Sequence, residues 1–178
     1  VITWDERGFG ETLATGEFTY WDSANDVLGL MDHLGIDSAV IGGMSQGGFL
    51  SLRVALTAPS RVNALILLDT QAGTEDPTTV EPYNQLHDAW VEHGAVAVQD
   101  VVASLILGPG EWPEWFAKWG AMVPDQFTKA FHCLMHRDDV TARLGEITCP
   151  ALIVHGTADM SIPIEKAEIL RDRIAGPT

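Results

Sequence analysis

Cysteine is scarce in this chain, which contains only Cys133 and Cys149 among its 178 residues. The two cysteines fit none of the spacings that hold a structural metal ion. So sparse a pair is more typical of reduced, buried thiols than of a disulfide framework. The sequence therefore predicts no metal site and no fold that depends on cross-links.

Positive charge is also in short supply. Ten Lys and Arg residues against 25 Asp and Glu residues give a net charge of −15 at pH 7. A chain of this charge is repelled by nucleic-acid phosphates and by anionic membrane surfaces. We expect neither nucleic acid nor a membrane as a partner, and we attribute the acidity to a well-solvated surface.

Long apolar runs are absent as well. No stretch approaches the roughly 20 apolar residues of a membrane span, and no basic and apolar leader marks the start. Even so, 46% of the residues are apolar, which is enough for one domain of ordinary size to bury a substantial core. We expect a globular, cytoplasmic protein, although a chain that begins with Val could have lost a leader.

Apolar runs and turn residues predict that strands and helices alternate in the first part of the chain. Asp22 or Ser23 is placed to cap a helix that Gly35 would end. Residues 64–68 form an unbroken apolar run, which is typical of a strand buried on both faces. The order strand, helix, strand indicates a doubly wound α/β fold with a mostly parallel sheet and flanking helices. The predicted core elements are strand 1–4, helix 22–34, strand 36–42, helix 46–58, strand 64–68, strand 151–154 and helix 164–174.

Only helical patterns fill the segment between the core strands. Three amphipathic faces follow one another there, and Pro124 suits the first turn of the third helix. An all-helical insertion between two sheet strands is typical of a lid. Its four tryptophans could line an apolar pocket, although aromatic residues at helical spacing more often pack against one another. We therefore predict a core part at 1–70, a helical lid at 71–148 and a second core part at 149–178.

Ser45 lies between a strand pattern and a helix pattern, in Gly43-Met44-Ser45-Gln46-Gly47. A Gly-any-Ser-any-Gly string occurs by chance in about one chain in fifteen of this composition, so the string alone says little. The strand-to-helix context is far more specific, because such a turn exposes the serine hydroxyl as a nucleophile. Flanking glycines would remove Cβ atoms that clash at the turn. The N–H of Gln46, at the helix start, would then stabilise an oxyanion.

Three motifs, in this order, resemble motifs of the α/β-hydrolase superfamily, specifically of its lidded members with a serine nucleophile. Residues 5–10 are similar to the loop after that family's fourth strand, and residues 43–48 are similar to its nucleophile elbow. Residues 155–159, followed by Pro163, are similar to its acid loop. The resemblance covers essentially the whole chain.

The resemblance implies an enzyme without a cofactor that hydrolyses small, largely apolar esters or related acyl compounds. Ser45 would attack the acyl carbonyl, a histidine would accept its proton, and Asp159 would orient that histidine. Asp69 also ends a core strand, where some relatives place the acid, and is therefore an alternative to Asp159. The chain could also form an oligomer.

The general base that the family uses has no match in this chain. The family histidine follows the acid in sequence, yet no histidine follows Asp159. His155 is the nearest substitute by position, although a packing role is more typical of such a residue. The family's third strand, whose loop gives the second oxyanion donor, is missing too. We expect these residues to be the interior of a longer hydrolase; the alternative is a non-catalytic binding protein or an inactive fragment on the same fold.

Overall fold

The computed structural model describes every residue from Val1 to Thr178, and the chain forms two compact units. The first unit comprises Val1–Phe18 and Glu75–His136, and the second comprises Thr19–Thr74 and Arg137–Thr178. All strands belong to the second unit. The elements are α1 (Tyr20–His33), β1 (Ala39–Met44), α2 (Gln46–Thr57), β2 (Val62–Leu68), α3 (Pro77–His93), α4 (Gln99–Ile106), α5 (Pro113–Gly120), α6 (Pro124–Met135), β3 (Ala151–Val154) and α7 (Ile164–Arg173), with short 3₁₀ turns at 59–61, 95–97 and 141–146.

The second unit is built on three parallel strands in the order β1, β2, β3. The register aligns the last residues of all three strands, so the strands end at the same level. The residues that follow them, Ser45, Asp69 and His155, are therefore neighbours along one edge of the sheet. Ligands of open α/β sheets bind outside this carboxyl edge. The predicted parallel α/β fold is confirmed.

The two faces of this sheet differ in their cover. Helices α2 and α7 pack against the sheet, and the side chains of Leu65 and Leu67 on one face are fully buried. The opposite face is apolar but open, since about a third to a half of each of its large side chains is exposed. These side chains are Val40, Met44, Ile66, Leu152 and Val154.

Residues 1–4 do not form the predicted strand. The sheet contains β1, β2 and β3, and no strand lies beside these first residues. An apolar run becomes a strand only where a neighbour pairs with its N–H and C=O groups. The apolar pattern was therefore insufficient, and Val1 and Ile2 are exposed.

Helix α1 begins earlier than predicted. Thr19 is the N-cap, in place of Asp22 or Ser23. The Asp22 carboxylate accepts a hydrogen bond from the Thr19 N–H at 2.8 Å, and the Thr19 hydroxyl faces the Asp22 N–H, which together form a capping box. Gly35 follows the helix with a φ of 67°, as expected for a residue that ends a helix.

A buried arginine fastens helix α2 within the second unit. The Arg53 side chain is 1% exposed, and its Nε and Nη2 donate to Oδ1 of Asp138 at 3.2 and 2.7 Å. Its Nη1 donates to the Phe49 carbonyl at 2.9 Å, and Nη2 also donates to the Asp138 carbonyl at 2.7 Å. Because a buried charge is unfavourable unless it is paired and hydrogen-bonded, this network fixes the chain at residue 138 against α2.

Asp138 gives the second unit a predicted dependence of stability on pH. Burial acts to raise the pKa of its carboxyl, but the hydrogen bonds and charge of Arg53, together with hydrogen bonds from Trp21 and the backbone, outweigh burial and hold the pKa below the ordinary 3.8. Its stabilising contribution is therefore complete above the unfolded-state pKa and disappears as the pH falls through the lowered pKa. In urea unfolding, the deficit of Asp138→Asn relative to wild type should shrink from about pH 6 to about pH 3. A constant deficit, or the same trend in the exposed control Asp37→Asn, would contradict this assignment.

The first unit has an aromatic core. The ring of Trp90 stacks on Phe127 with centroids 4.4 Å apart and meets Trp119 edge-on at 6.1 Å. Pro124 occupies the first turn of α6, as predicted. Two of the tryptophans considered as pocket residues, Trp90 and Trp119, are thus mainly packing residues, being 5% and 8% exposed. No helix in the chain combines the length and the apolar character that a membrane span requires.

Candidate active site

Ser45 lies at the turn between β1 and α2, with φ 49° and ψ −112°. This left-handed conformation is strained for serine, and it persists only where the surroundings hold it. The Ser45 N–H donates to the Leu68 carbonyl at 2.9 Å, and the Ser45 carbonyl accepts from the Thr70 hydroxyl at 2.8 Å. The side chain is half-buried, and its hydroxyl has no hydrogen-bond partner in the chain. The backbone is thus fixed while the hydroxyl stays available.

The glycines of this turn are not equally constrained. A Cβ on Gly43 would overlap the backbone of Gly47, and a Cβ on Gly48 would overlap the side chain of Thr70. A Cβ on Gly47 would meet nothing within 4 Å. The prediction that both flanking glycines avoid a clash therefore holds for Gly43 and not for Gly47, while Gly48 is the second crowded position.

Gln46 supplies the first N–H of helix α2. The first amides of a helix have no acceptor within the helix and lie at the positive end of its dipole. The Gln46 side chain is held apart from this amide, because its Oε1 accepts from the Tyr20 hydroxyl at 2.8 Å. The amide next to Ser45 is therefore suited to stabilise negative charge on a bound oxygen.

The loop after β3 holds Asp159 by one of its two carboxylate oxygens. Oδ1 accepts from the N–H groups of Ser161 and Ile162 at 2.8 and 2.9 Å. Oδ2 lies 3.6 Å from Nε2 of His155, which is too far for a hydrogen bond. The side chain is 14% exposed. Asp159 is thus a fixed carboxylate with one oxygen left to accept a further hydrogen bond.

Asp69 follows β2 on the same edge and holds the acid loop. It adopts a positive φ of 43°, and its N–H donates to the Val154 carbonyl at 2.9 Å. Its Oδ1 accepts from the Gly156 N–H at 2.7 Å. Asp69 therefore joins the ends of β2 and β3, a positioning contact that the sequence pattern did not indicate.

The structure brings no histidine into the role of base for Ser45. The ring of His155 is 2% exposed, and its Nε2 lies 2.7 Å from the Ile162 carbonyl. His155 follows β3, whereas Ser45 follows β1, so β2 lies between them. At the usual spacing of strands, two strand positions correspond to about 10 Å. His33 ends α1 and is exposed, and the other four histidines belong to the first unit.

Asp69, His155 and Asp159 offer possible ligand atoms within 4.8 Å of one another. Existing hydrogen bonds already engage Oδ1 of both aspartates and Nε2 of the histidine. These hydrogen bonds hold the loop after β3 in place.

A contact that the sequence analysis missed is made by Thr70. Its hydroxyl bonds the Ser45 carbonyl, and its side chain, 1% exposed, fills the space beside Gly48. The available sequence signal is that Thr70 is a polar residue two positions after the apolar strand β2.

Comparison with known proteins agrees with this geometry. Residues 1–131 match the family model described as the alpha/beta hydrolase fold. The chain belongs to the α/β-hydrolase family. The family assignment rests on most of the chain, and the elbow at Ser45 lies within the matched residues.

Several known proteins are similar along nearly the full chain. A mitochondrial palmitoyl-protein thioesterase of Rattus norvegicus is 29% identical over 184 residues, covering 99% of this chain and 54% of that protein. A 3-oxoadipate enol-lactonase of Acinetobacter baylyi is 26% identical, covering 100% of this chain and 68% of that protein. A thermophilic esterase from Thermogutta terrifontis superposes with a TM-score of 0.82 at 27% identity, covering 98% of this chain and 67% of the esterase. The chain thus spans between about half and two thirds of these relatives.

Proposed function

We propose that this protein is a serine hydrolase that cleaves ester-type bonds of small, largely apolar acyl compounds through an acyl-enzyme. The observation that carries the proposal is the strained turn at Ser45, where a free hydroxyl follows a parallel strand and precedes a free helix N–H. Strain of this kind is kept where a side chain must be presented to a ligand. The relatives named above, a thioesterase, an enol-lactonase and an esterase, support the same bond class.

The reaction would proceed in two acyl transfers. The Ser45 Oγ attacks the carbonyl carbon, and the oxygen that becomes negative accepts a hydrogen bond from the Gln46 N–H. The proton of Ser45 passes through a base to the leaving alcohol, which departs and leaves the acyl group on Ser45. A water molecule then attacks that ester and restores the serine.

We propose that the base in this scheme is an imidazole, a role that none of the six histidines of these 178 residues fills. The unused Oδ2 of Asp159 supports this, because that oxygen could accept a hydrogen bond from Nδ1 of an imidazole. Asp69 is less suited to this role, because it has a positioning function in holding Gly156. We therefore assign the acid to Asp159 and retain Asp69 as its support.

The side chains of the first unit support the proposal that the substrates are largely apolar. Its helices carry an aromatic core and exposed apolar side chains such as Trp115 and Val101, as a lid for apolar substrates would. We propose that this helical segment is the lid and that the partner is a small acyl compound.

A second candidate function is ligand binding without catalysis. It is favoured by one observation, namely that no histidine of this chain hydrogen-bonds Ser45 or the free oxygen of Asp159. A binder of this type would keep the elbow and the acid loop as parts of a recognition site.

Covalent labelling distinguishes the two candidates. The 178-residue chain should react with a fluorophosphonate probe at one serine, and peptide mass spectrometry should locate the adduct on Ser45. Urea-unfolded protein is the control, since it should not react there. Because no histidine of this chain activates Ser45, imidazole is added as an external base. A folded protein that stays unlabelled in its presence, or is labelled at the exposed Ser60 instead, would favour the binding protein.

A further inference from the structure

The first unit contains a cavity of about 580 Å³, built entirely from its own residues. One wall is the N-terminal loop 5–13, and the other is formed by α5, the link to α6 and the start of α6. Pockets for small ligands usually measure about 300–1,000 Å³. The cavity therefore has the size of a binding site for one small molecule.

The loop wall of this cavity is held in place before any ligand binds. The Ala14 N–H donates to Oε1 of Gln126 at 2.6 Å, and Nε2 of Gln126 donates back to the Ala14 carbonyl at 3.2 Å. Lys129 donates to the same carbonyl at 3.1 Å. Gly8 lies so close to α6 that a Cβ there would approach the Gln126 carbonyl to 3.3 Å. A preformed wall lowers the entropic cost of binding.

The lining is mainly apolar and aromatic. Both Trp119, which is 8% exposed, and Trp115, which is 38% exposed, line it. Phe9, Leu13 and Met122 add further apolar surface. Such a lining favours a ligand with an apolar body.

Lys118 gives the cavity a single available cation. Glu114 lies four residues before it on α5, the spacing at which Glu and Lys usually pair on a helix. No ion pair joins them, and the Lys118 ammonium instead lies 5.4 Å from the centroid of the Trp115 ring. In a chain with 25 acidic residues, a lysine on the cavity wall without an acidic partner is notable.

Asp5 is the other charged lining residue. Its Oδ2 accepts a hydrogen bond from the Glu11 N–H at 3.0 Å, so the carboxylate is turned toward the loop's own backbone. Its negative charge disfavours ligands with several anionic groups. One ammonium on an aromatic wall is best matched by a single carboxylate.

We infer that this cavity binds small monocarboxylates with an apolar body, such as medium-chain alkanoates, with the carboxylate at Lys118 and the chain against Trp115 and Trp119. The site does not depend on the chemistry of Ser45. Ligand binding in this cavity can therefore be measured whether or not Ser45 is labelled, and failure of one test leaves the other informative.

The test uses octanoate, with octan-1-ol as a neutral match. Octanoate should saturate the 178-residue chain at about 0.1–1 mM, as expected for a ligand of about ten non-hydrogen atoms. In ¹⁵N spectra of the tryptophan indoles, the Trp115 and Trp119 signals should shift, and that of Trp21, in the other unit, should not. Absence of saturation by several millimolar octanoate, or shifts confined to other tryptophans, would overturn the inference.

Removal of the Lys118 charge provides the second part of the test. Lys118→Met should weaken octanoate binding by about 3–10-fold and leave octan-1-ol binding unchanged, because only the carboxylate loses a partner. Lys118→Arg should keep the preference for octanoate, and Lys166→Met, on α7 of the other unit, should change nothing. Ala121→Trp should block both ligands by filling the cavity. Equal binding of octanoate by wild type and Lys118→Met would show that the carboxylate is not recognised there.

Discussion

Replacing Ser45 with alanine is expected to abolish the fluorophosphonate adduct that forms at residue 45 when imidazole is present as an external base, with little change in unfolding free energy. Alanine lacks the oxygen that forms the covalent bond, whereas the turn itself is held by backbone hydrogen bonds to Leu68 and Thr70. The measurement is the second-order rate of adduct formation, followed by intact mass, together with a urea unfolding curve.

Adding an external base tests whether labelling depends on removal of the Ser45 proton. Neutral imidazole should accelerate labelling of the wild-type chain, because it can take the proton that the proposed histidine would take. It should not accelerate labelling of Ser45→Ala. The matched control is Ser60→Ala, which removes an exposed serine of the same unit and should label at the wild-type rate. Equal adduct formation by Ser45→Ala and wild type would refute the assignment of the nucleophile.

Gly48→Ala is expected to destabilise the second unit by about 2–3 kcal/mol, whereas Gly47→Ala, one residue away, should be neutral or stabilising by up to about 1 kcal/mol. The new methyl at residue 48 would overlap the Thr70 side chain, which is fully buried and bonded to the Ser45 carbonyl. At residue 47 the methyl would enter open space on the first turn of α2 and favour the helix. Urea unfolding of the two variants against wild type gives the comparison.

The double variant Gly48→Ala/Thr70→Gly tests the cause. If the overlap with Thr70 produces the loss, the double variant should be more stable than the sum of the two single changes predicts. Additive effects, or a loss in Gly47→Ala as large as in Gly48→Ala, would refute the assignment of crowding.

The sequence was most informative where local pattern and tertiary role coincide. The apolar runs predicted as strands at 36–42 and 64–68 correspond to β1 and β2, although β1 begins at Ala39 and continues to Met44. Each run is bounded by turn residues and followed by a helix or a loop. The glycine-flanked Ser45 between them could be located at the strand-to-helix turn for the same reason. In each of these cases, neighbouring residues in the sequence were sufficient for the prediction.

Features that depend on distant residues could not be predicted. Residues 1–4 have a strand-like pattern, but strand formation depends on a partner that the pattern does not contain. The crowding at Gly48 arises from Thr70, and the support of the acid loop arises from a bond between Asp69 and Gly156. The cavity at Lys118 joins α5 to a loop about a hundred residues earlier in the chain, and no local motif indicates it.

Strand β3 carries the acid loop, and its attachment has a consequence for how the carboxyl edge forms. Residues 69–150 separate β3 from β2, its one partner, so their pairing must overcome a large loop-closure entropy. Strands β1 and β2 are separated by one short helix and pair along more of their length. We therefore expect the turn at Ser45 to form early in folding and the loop with Asp159 to form late. A local opening of β3 is expected to displace Asp159, the proposed acid, while leaving Ser45 in its folded conformation.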